Sequence, residues 1–411
     1  MTDREIVHLY NRIGFGASPG QLRAARKLTR ANLVASLLRD PAPAARGGGD
    51  NPRDGMPPRE EREMYGLRAR WMRRMVGPDS WAAQERMMLF WHDHFACMPS
   101  RADLAAGYLE VLRGDALGNF RALLHGVATD AGMMRYLNAN SIRRDAPNEN
   151  FAREVLELFT VGLDGYTERD VSELARAFSG WALNGQERWF LRKGQLDTSR
   201  KTILGRSGRF TGREALDLLV DDPNTARHLT RKLWTYLTDA TPGEATVARH
   251  AAALRGNGYA IAPWLAGILE DDAFYAEELL GARVKSPTDL LVGWCVHTGA
   301  RLPEGTARFV NFARFNNEFL LAPPSVAGWP GGKAWITPST LPSRMALAAL
   351  SAGEVALSEQ RFATFQGLAG FAAEAVARAN GDRDLAAVMI SDASAPADAV
   401  ALGSHTRYQY G

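Results

Sequence analysis

The stretch "LFWHDHFACM", Leu89 to Met98, places two histidines on either side of an aspartate among bulky apolar residues. His92, Asp93 and His94 have side chains that could bind a divalent metal ion, and His92 could also act as a general acid or base. On an intact helix, residues two positions apart are rotated by about 200° and point to nearly opposite sides. One ion therefore binds both histidines only if the helix ends or unwinds between them. The alternative is a packed helix end, where the helix dipole favours a protonated histidine.

A second group of candidate residues lies in "NENFAREVLELFTVG", Asn148 to Gly162. A helical spacing of 100° per residue gathers the apolar residues on one broad arc and places Arg153 and Glu157 opposite, with Asn150 and Glu154 beside them. One interpretation is an ordinary amphipathic helix with weak pairs of opposite charge on its polar face. The other is the wall of a cleft, in which Glu154 and Glu157 act as acid, base or metal ligands and Arg153 and Asn150 hold the substrate.

Two further segments offer substrate-binding residues. The run "APPSVAGWPGGKAWITPST", Ala322 to Thr340, contains four prolines and three glycines and predicts a rigid loop. Trp329 and Trp335 on this loop either stack on a sugar ring or base, or fix the loop to the core. Lys285 stands just before a Ser-Pro pair at a predicted helix start, where its charge opposes the dipole. It therefore needs an anionic partner, either a buried carboxylate or a ligand.

The elements that position these residues are predicted to be helices, because alternating strand patterns are scarce. In the helix that follows Thr167, a capping box with Asp170 supports the prediction. Helices are predicted at 18–39, 59–75, 81–95, 102–125, 148–162, 167–181, 212–220, 224–237, 244–255, 284–298 and 303–319.

The predicted fold is mostly α, a large multi-helix globular domain with long Pro/Gly-rich loops and at most a small β-hairpin. We assign residues 1–345 to this helical domain and 346–411 to C-terminal helices and a tail, with a flexible loop at 41–58. The segment 189–210 lacks helical periodicity and is either a short hairpin or an active-site loop. It is also where a division into two domains would fall.

Composition excludes several classes of function. The 411 residues are 46% hydrophobic and 23% charged with a formal net charge of +3, which favours neither nucleic acid nor an anionic membrane as a partner. Cys97 and Cys295 lie far apart in apolar surroundings, as expected for buried thiols in a reducing compartment. The sequence contains no export-signal pattern and no stretch of roughly 20 apolar residues, so a cytoplasmic location is expected.

Taken together and in order, several segments resemble a bacterial family of unknown function, DUF1800. The resemblance rests on "HLYNRIGFGASPGQ", "MMLFWHDHF", "NENFAREVLELFTVG", "YTERDVSELARAFSGW", "KTILG", "KLW", "VKSP" and "PPSVAGWPGGKAW", and runs from His8 to about Arg344. It implies a predominantly helical protein. Relatives are often encoded beside a second uncharacterised family that resembles sulfatases, which by analogy implies an anionic or polysaccharide substrate.

The chain departs from the family pattern at two places. Relatives commonly have a His-Asp pair before the "KTILG"-like motif, where this chain has Leu196 and Asp197. The glutamine that often precedes the double proline is also missing from "NNEFLLAPP". If the lost histidine is a ligand or proton donor in relatives, its absence puts activity in doubt.

Two functional hypotheses follow. The first is a hydrolase acting on a glycan or anionic polymer, with Glu154, Glu157 and His92 in acid–base chemistry and a divalent metal ion as a candidate cofactor. The second is a non-catalytic helical protein that binds or assembles with another protein, in which the same polar residues fix helix contacts. The first hypothesis requires that His92 and the acidic side of the 148–162 helix face each other across a solvent-filled hollow.

Overall fold

The chain folds mainly into helices, as the periodicity predicts. A computed structural model describes residues 1–39, 60–77, 81–298, 302 and 307–345. The predicted loop at 41–58 and the C-terminal helices and tail at 346–411 lie outside the described residues.

The first half of the described chain contains ten α-helices, followed by two strand pairs. The helices are α1 (Asp3–Ile13), α2 (Pro19–Ala25), α3 (Arg30–Leu38), α4 (Glu60–Val76), α5 (Ala82–His94), α6 (Ala102–Asp115), α7 (Phe120–Ala128), α8 (Ala131–Tyr136), α9 (Glu149–Glu154) and α10 (Glu168–Ala177). A turn of π-helix, Val155–Phe159, extends α9. The mostly helical class predicted from the sequence is confirmed.

Strand content in the described chain is confined to two antiparallel pairs within the segment that lacks helical periodicity. Strand β1 (Trp181–Leu183) pairs with β2 (Trp189–Leu191), and β3 (Lys201–Ile203) pairs with β4 (Arg206–Gly208). Short 3₁₀ turns and seven more helices complete the fold. The helices are α11 (Gly212–Asp221), α12 (Pro223–Thr238), α13 (Glu244–Gly256), α14 (Ile261–Glu270), α15 (Pro287–Thr298), α16 (Ala307–Phe315) and α17 (Leu341–Met345).

Capping residues account for the helix boundaries. Thr167 and Asp170 form the reciprocal capping box that the sequence predicts at the start of α10. Two helices predicted as single elements are each divided, because Thr29 caps α3 and Asn119 caps α7 with their side chains. The sequence does not predict the helices α1, α8, α14 and α17.

Helix α5 lies at the centre of the molecule. Five consecutive residues, Met87 to Trp91, are buried, so the helix has no solvent-facing side over this turn. It packs against α1, α3, α4, α6 and α12. The C-terminal half of α5 therefore meets α12 inside the protein, and the cavity described next opens between them.

Candidate functional site

His92 is buried and holds neighbouring segments of the chain together through its ring nitrogens. Its Nε2 accepts a hydrogen bond from the backbone N–H of Leu321 at 2.9 Å, and Nδ1 lies 3.5 Å from the Tyr108 hydroxyl. That hydroxyl donates to the Phe95 carbonyl, which assigns the ring proton of His92 to Nδ1. Burial, with a smaller effect from the charge of Arg68, lowers the pKa of His92 to about 3. The imidazole is therefore neutral at physiological pH.

His94 points to the other side of α5, because the helix continues unbroken through both histidines. Its Nε2 donates to the carbonyl oxygen of Phe159 at 3.2 Å, at the end of the π-helical turn. His228 donates in the same way to the neighbouring carbonyl of Leu158 at 3.0 Å. The histidine segment thus contacts the 148–162 helix through a main-chain carbonyl and not through its acidic side chains.

Asp93 fastens the Trp/Gly-rich loop to the end of α5. One carboxylate oxygen, Oδ1, accepts the backbone N–H of Trp329 at 2.8 Å. Gly328 has a φ of +84°, and a Cβ there would lie 2.6 Å from the Asp93 carbonyl oxygen. Burial raises the pKa of Asp93, against the opposing effects of the Trp329 hydrogen bond and the Lys232 charge. The glycine is required because only a residue without a side chain lets the loop approach this closely.

A cavity of about 590 Å³ opens beside these contacts. His92 and Asp93 of α5 form one wall, and residues of α12 form a second. The Trp329–Trp335 loop, the segment around Arg283 and Ser286, and Glu318 complete the lining. A cavity of this size, with aromatic surface and a few converging polar groups, is typical of small-ligand sites.

The α12 wall presents a polar stripe at helical spacing. Lys232, Thr235, Tyr236 and Asp239 all line the cavity. They occupy relative positions i, i+3, i+4 and i+7, which place them on one face. Asp239 follows the helix in the left-handed conformation, with a φ of +58°. Helix α12 thus carries a cation and a carboxylate about two turns apart on the same wall.

Two carboxylates of the cavity are held by one short segment. Asp239 Oδ2 accepts the backbone N–H of Val284 at 2.8 Å, and Glu318 Oε2 accepts that of Thr288 at 2.6 Å. Burial raises the pKa of Glu318 to about 7, with a further contribution from the negative charge of Asp289. Desolvation by the surrounding protein also raises the pKa of Asp239, although Arg283 opposes the shift.

A buried ion network supports this segment. Asp289 accepts from Arg283 at 2.5 Å and from Arg86, and the two guanidinium groups hold the pKa of its carboxyl well below the usual range. Lys285 is buried close to Asp289, so a buried carboxylate is available as the anionic partner that the sequence requires. Burial lowers the pKa of Lys285 to about 7. Lys285 lies outside the cavity lining.

The two tryptophans of the loop have different environments. Trp335 is buried, with 5% of its surface exposed, whereas Trp329 is partly exposed. Both line the cavity, and the Trp329 ring packs edge-on against His92 with their centroids 5.2 Å apart. Their indole surfaces are therefore available both to the cavity and to loop packing.

The acidic residues of the 148–162 helix lie elsewhere. Glu157 accepts from the Tyr166 hydroxyl at 2.7 Å, and Arg153 pairs with Glu168 at 2.7 Å. Burial and then the neighbouring charge of Glu157 raise the pKa of the half-buried Glu154. Neither glutamate belongs to the cavity lining, and the same holds for Arg153 and the exposed Asn150. The structure does not bring His92 and this acidic face together across a hollow.

The candidate metal ligands are likewise separated. His92 and His94 bond to different parts of the backbone on opposite sides of α5. Over the part of the chain that the structure describes, no group of three or more histidine, cysteine, aspartate or glutamate side chains could hold a metal ion.

The departure at Leu196 lies outside the cavity lining. Asp197 accepts a hydrogen bond from Arg176 at 2.9 Å and from the Ser199 backbone N–H at 2.8 Å. Burial raises the pKa of Asp197, but the hydrogen bonds from Ser199 and Arg176 outweigh it and lower the pKa to about 2. Lys201 of the "KTILG" motif donates to the Asp197 carbonyl at 2.5 Å and to the Ser199 carbonyl at 3.1 Å. In this chain the motif ties a loop to strand β3.

Sequence reasoning missed Lys232, Asp239, Arg283 and Glu318 as residues of the site. For Lys232 and Asp239 a signal was present, because the polar positions of "RKLWTYLTDA" recur on one helical face. Arg283 and Glu318 lie outside helices in the structure. Glu318 falls within the helix predicted at 303–319, but α16 ends at Phe315, so helical spacing does not give the direction of its side chain.

The family match covers nearly the whole sequence. The description "Protein of unknown function (DUF1800)" matches residues 8–405 of the 411. The chain belongs to the DUF1800 family. No curated protein and no solved structure matches it. Each described helix of this DUF1800 protein is too short or too polar to cross a lipid bilayer.

Proposed function

We propose that this DUF1800 protein is a hydrolase that acts on a glycan or an anionic polymer, with the cavity between α5 and α12 as its substrate site. The observation that carries the proposal is the pair of carboxylates held by one segment. Asp239 and Glu318 come from distant parts of the sequence, yet both accept backbone N–H groups from Val284–Thr288 at the cavity wall.

Glycoside hydrolysis requires two carboxyl groups in one site, and Asp239 and Glu318 line the same cavity. The two amides that hold them, those of Val284 and Thr288, are four residues apart and so lie at most about 14 Å from each other. Glycosidases use carboxylate pairs roughly 5 to 10 Å apart. The pKa of Glu318, raised to about 7, allows it to carry a proton near neutral pH, as a general acid requires.

Under this proposal Glu318 gives its proton to the leaving-group oxygen as the carbon–oxygen bond breaks. Asp239 takes a proton from a water molecule, whose oxygen forms the new bond to the carbon. Trp329 and Trp335 supply apolar surface against which a sugar ring stacks. His92 and Asp93 hold the loop that carries both tryptophans, which assigns them a positioning role.

The test compares carboxylates inside and outside the cavity. Soluble neutral and acidic polysaccharides are incubated with wild type and with the variants Asp239→Asn and Glu157→Gln, and release of reducing ends is measured. Asp239→Asn should lower kcat by about 10²- to 10⁴-fold, the usual contribution of an acid–base group. Glu157→Gln should keep wild-type activity. The opposite pattern would transfer the site to the α9 helix and refute the proposal.

A non-catalytic binding protein is the second candidate, and one observation favours it. His92 and Asp93, two of the most chemically capable residues, use hydrogen-bonding atoms to hold main-chain N–H groups of the loop. If wild type binds an oligosaccharide of the panel by calorimetry but releases no reducing ends, the binding function is the correct one.

A further inference from the structure

Lys232 is a partly buried cation that faces the cavity from α12. Among the residues that the structure describes, it has no hydrogen-bond or ion-pair partner, and the Asp93 carboxylate is the nearby charge that acts on it. Two buried cations of the described residues are paired directly: Arg283 with Asp289, and Lys201 with two carbonyl oxygens. The ammonium of Lys232 thus keeps its three N–H donors for the cavity.

An ammonium removed from water without a direct partner is costly, and burial accordingly lowers the pKa of Lys232. Asp93 compensates only in part. Its Oδ1 already accepts the Trp329 N–H, and its own pKa is raised by burial. A desolvated titratable group that faces a cleft without a direct partner is a candidate for a ligand-binding residue, and for an ammonium that ligand is an anion.

The surroundings of Lys232 favour an anion over a cation. Lys333, on the loop across the cavity, adds a second positive charge. The neighbouring Arg231 also lines the cavity, although Glu244 pairs with it at 3.0 Å. Asp239 lies seven positions along α12, about 10 Å away at 1.5 Å per residue. The wall is therefore cationic at one end and acidic at the other.

We propose that Lys232 Nζ binds an anionic substituent of the glycan, a sulfate ester, a phosphate or a carboxylate, while the bond to be cleaved lies at Asp239 and Glu318. This inference rests on the proposed function for the identity of the polymer. The anion-binding site at Lys232 Nζ itself rests only on the geometry of Lys232.

The first experiment tests the anion-binding site at Lys232 without any substrate. The chain has only six lysines, so acetylation by a limiting reagent can be followed at each by peptide mass spectrometry. Inorganic sulfate and inorganic phosphate are compared with chloride at equal ionic strength. Sulfate or phosphate should slow modification of Lys232 by the factor 1 + [L]/Kd, about tenfold at ten times Kd. The exposed Lys193 is the control and should react at the same rate in all salts. Equal rates at Lys232 would overturn the proposal.

The second experiment measures the substituent. Michaelis constants are determined for a sulfated oligosaccharide, a uronate-containing one and their neutral counterparts, with Lys232→Met and the control Lys193→Met. Loss of a charge-assisted hydrogen bond should raise KM of Lys232→Met for the anionic substrate about 10- to 150-fold, with KM for the neutral substrate unchanged. The substrate that shows the effect identifies the substituent. An equal change for anionic and neutral substrates would overturn the proposal.

The two experiments separate the failure of this inference from that of the proposed function. If no glycan is cleaved but sulfate or phosphate protects Lys232 from acetylation, the hydrolase proposal fails and the anion-binding site at Lys232 is supported. Unfolding of Lys232→Met in urea gives a further readout. Removing an unpaired buried ammonium should leave the unfolding midpoint unchanged or raise it, whereas a structural pair with Asp93 would make the midpoint fall.

Discussion

Replacing Gly328 with alanine should destabilise the protein and displace the loop that forms the cavity wall. Gly328 adopts a φ of +84°, where a residue with a Cβ is strained by roughly 1–2 kcal/mol. The new methyl group would also stand 2.6 Å from the Asp93 carbonyl oxygen and closer still to its carboxylate. Since that carbonyl belongs to the last turn of α5, the loop has to move instead of the helix.

Moving the loop breaks the hydrogen bond from the Trp329 N–H to the Asp93 carboxylate. A hydrogen bond to a charged group contributes about 1.5–3 kcal/mol. Adding the backbone strain, we expect Gly328→Ala to lower the free energy of unfolding by about 2.5–5 kcal/mol. The assay is equilibrium unfolding in urea followed by tryptophan fluorescence.

Gly205→Ala is the matched control. Gly205 has a similar φ of +76° in the β3–β4 turn, and a Cβ there meets nothing within 4 Å. The free energy of unfolding of Gly205→Ala should fall only by the backbone strain, about 1–2 kcal/mol. If Gly328→Ala and Gly205→Ala are destabilised equally, the close approach of the loop to Asp93 does not contribute and the reasoning is refuted.

Three further predictions concern the groups around the cavity. Because the pKa of His92 is about 3 in the folded protein and about 6.5 when unfolded, folding excludes its proton and stability falls as pH drops below 6.5. Between pH 6.5 and 5 the wild type should lose about 2 kcal/mol more than His92→Gln in urea unfolding, and parallel losses would contradict this. Asp289→Asn should cost about 3–5 kcal/mol, since it leaves two buried guanidinium groups without their carboxylate. The exposed Asp145→Asn, which also loses an arginine partner, should leave the free energy of unfolding nearly unchanged, and similar costs for the two variants would argue against the buried network. The raised pKa of Glu318 means that the folded protein binds the carboxyl proton more tightly than the unfolded chain does. The stability that this proton contributes is therefore lost as pH rises from about 4.5 to about 7. Glu318→Gln should flatten that part of the plot of stability against pH, measured by thermal unfolding.

The sequence predicts the helical framework well because amphipathic spacing and capping are local properties. Thr167 and Asp170 mark the start of α10 through contacts three residues apart, and the structure has the same capping box. The opposite directions of His92 and His94 also follow from helical geometry alone. Both are confirmed in the structure.

The composition of the site could not be predicted in the same way. Asp239 and Glu318 line one cavity and are both bound by the Val284–Thr288 segment, through contacts between residues some 30 to 45 positions apart. Glu154 and Glu157 stand out in the sequence because they share one helix face, yet nothing local tells which neighbour that face meets. The loop tryptophans were identified from their Pro/Gly-rich setting, and the structure assigns them both to the cavity lining.

The central claim is that Glu318 acts as the proton donor in the cavity. The most direct test is the pH dependence of reducing-end release by wild type and Glu318→Gln on the polysaccharide that wild type cleaves best. Wild-type kcat/KM should fall above a pKa of about 7, and Glu318→Gln should be slower by about 10²- to 10⁴-fold without that alkaline limb. An unchanged rate and an unchanged alkaline limb in Glu318→Gln would contradict it.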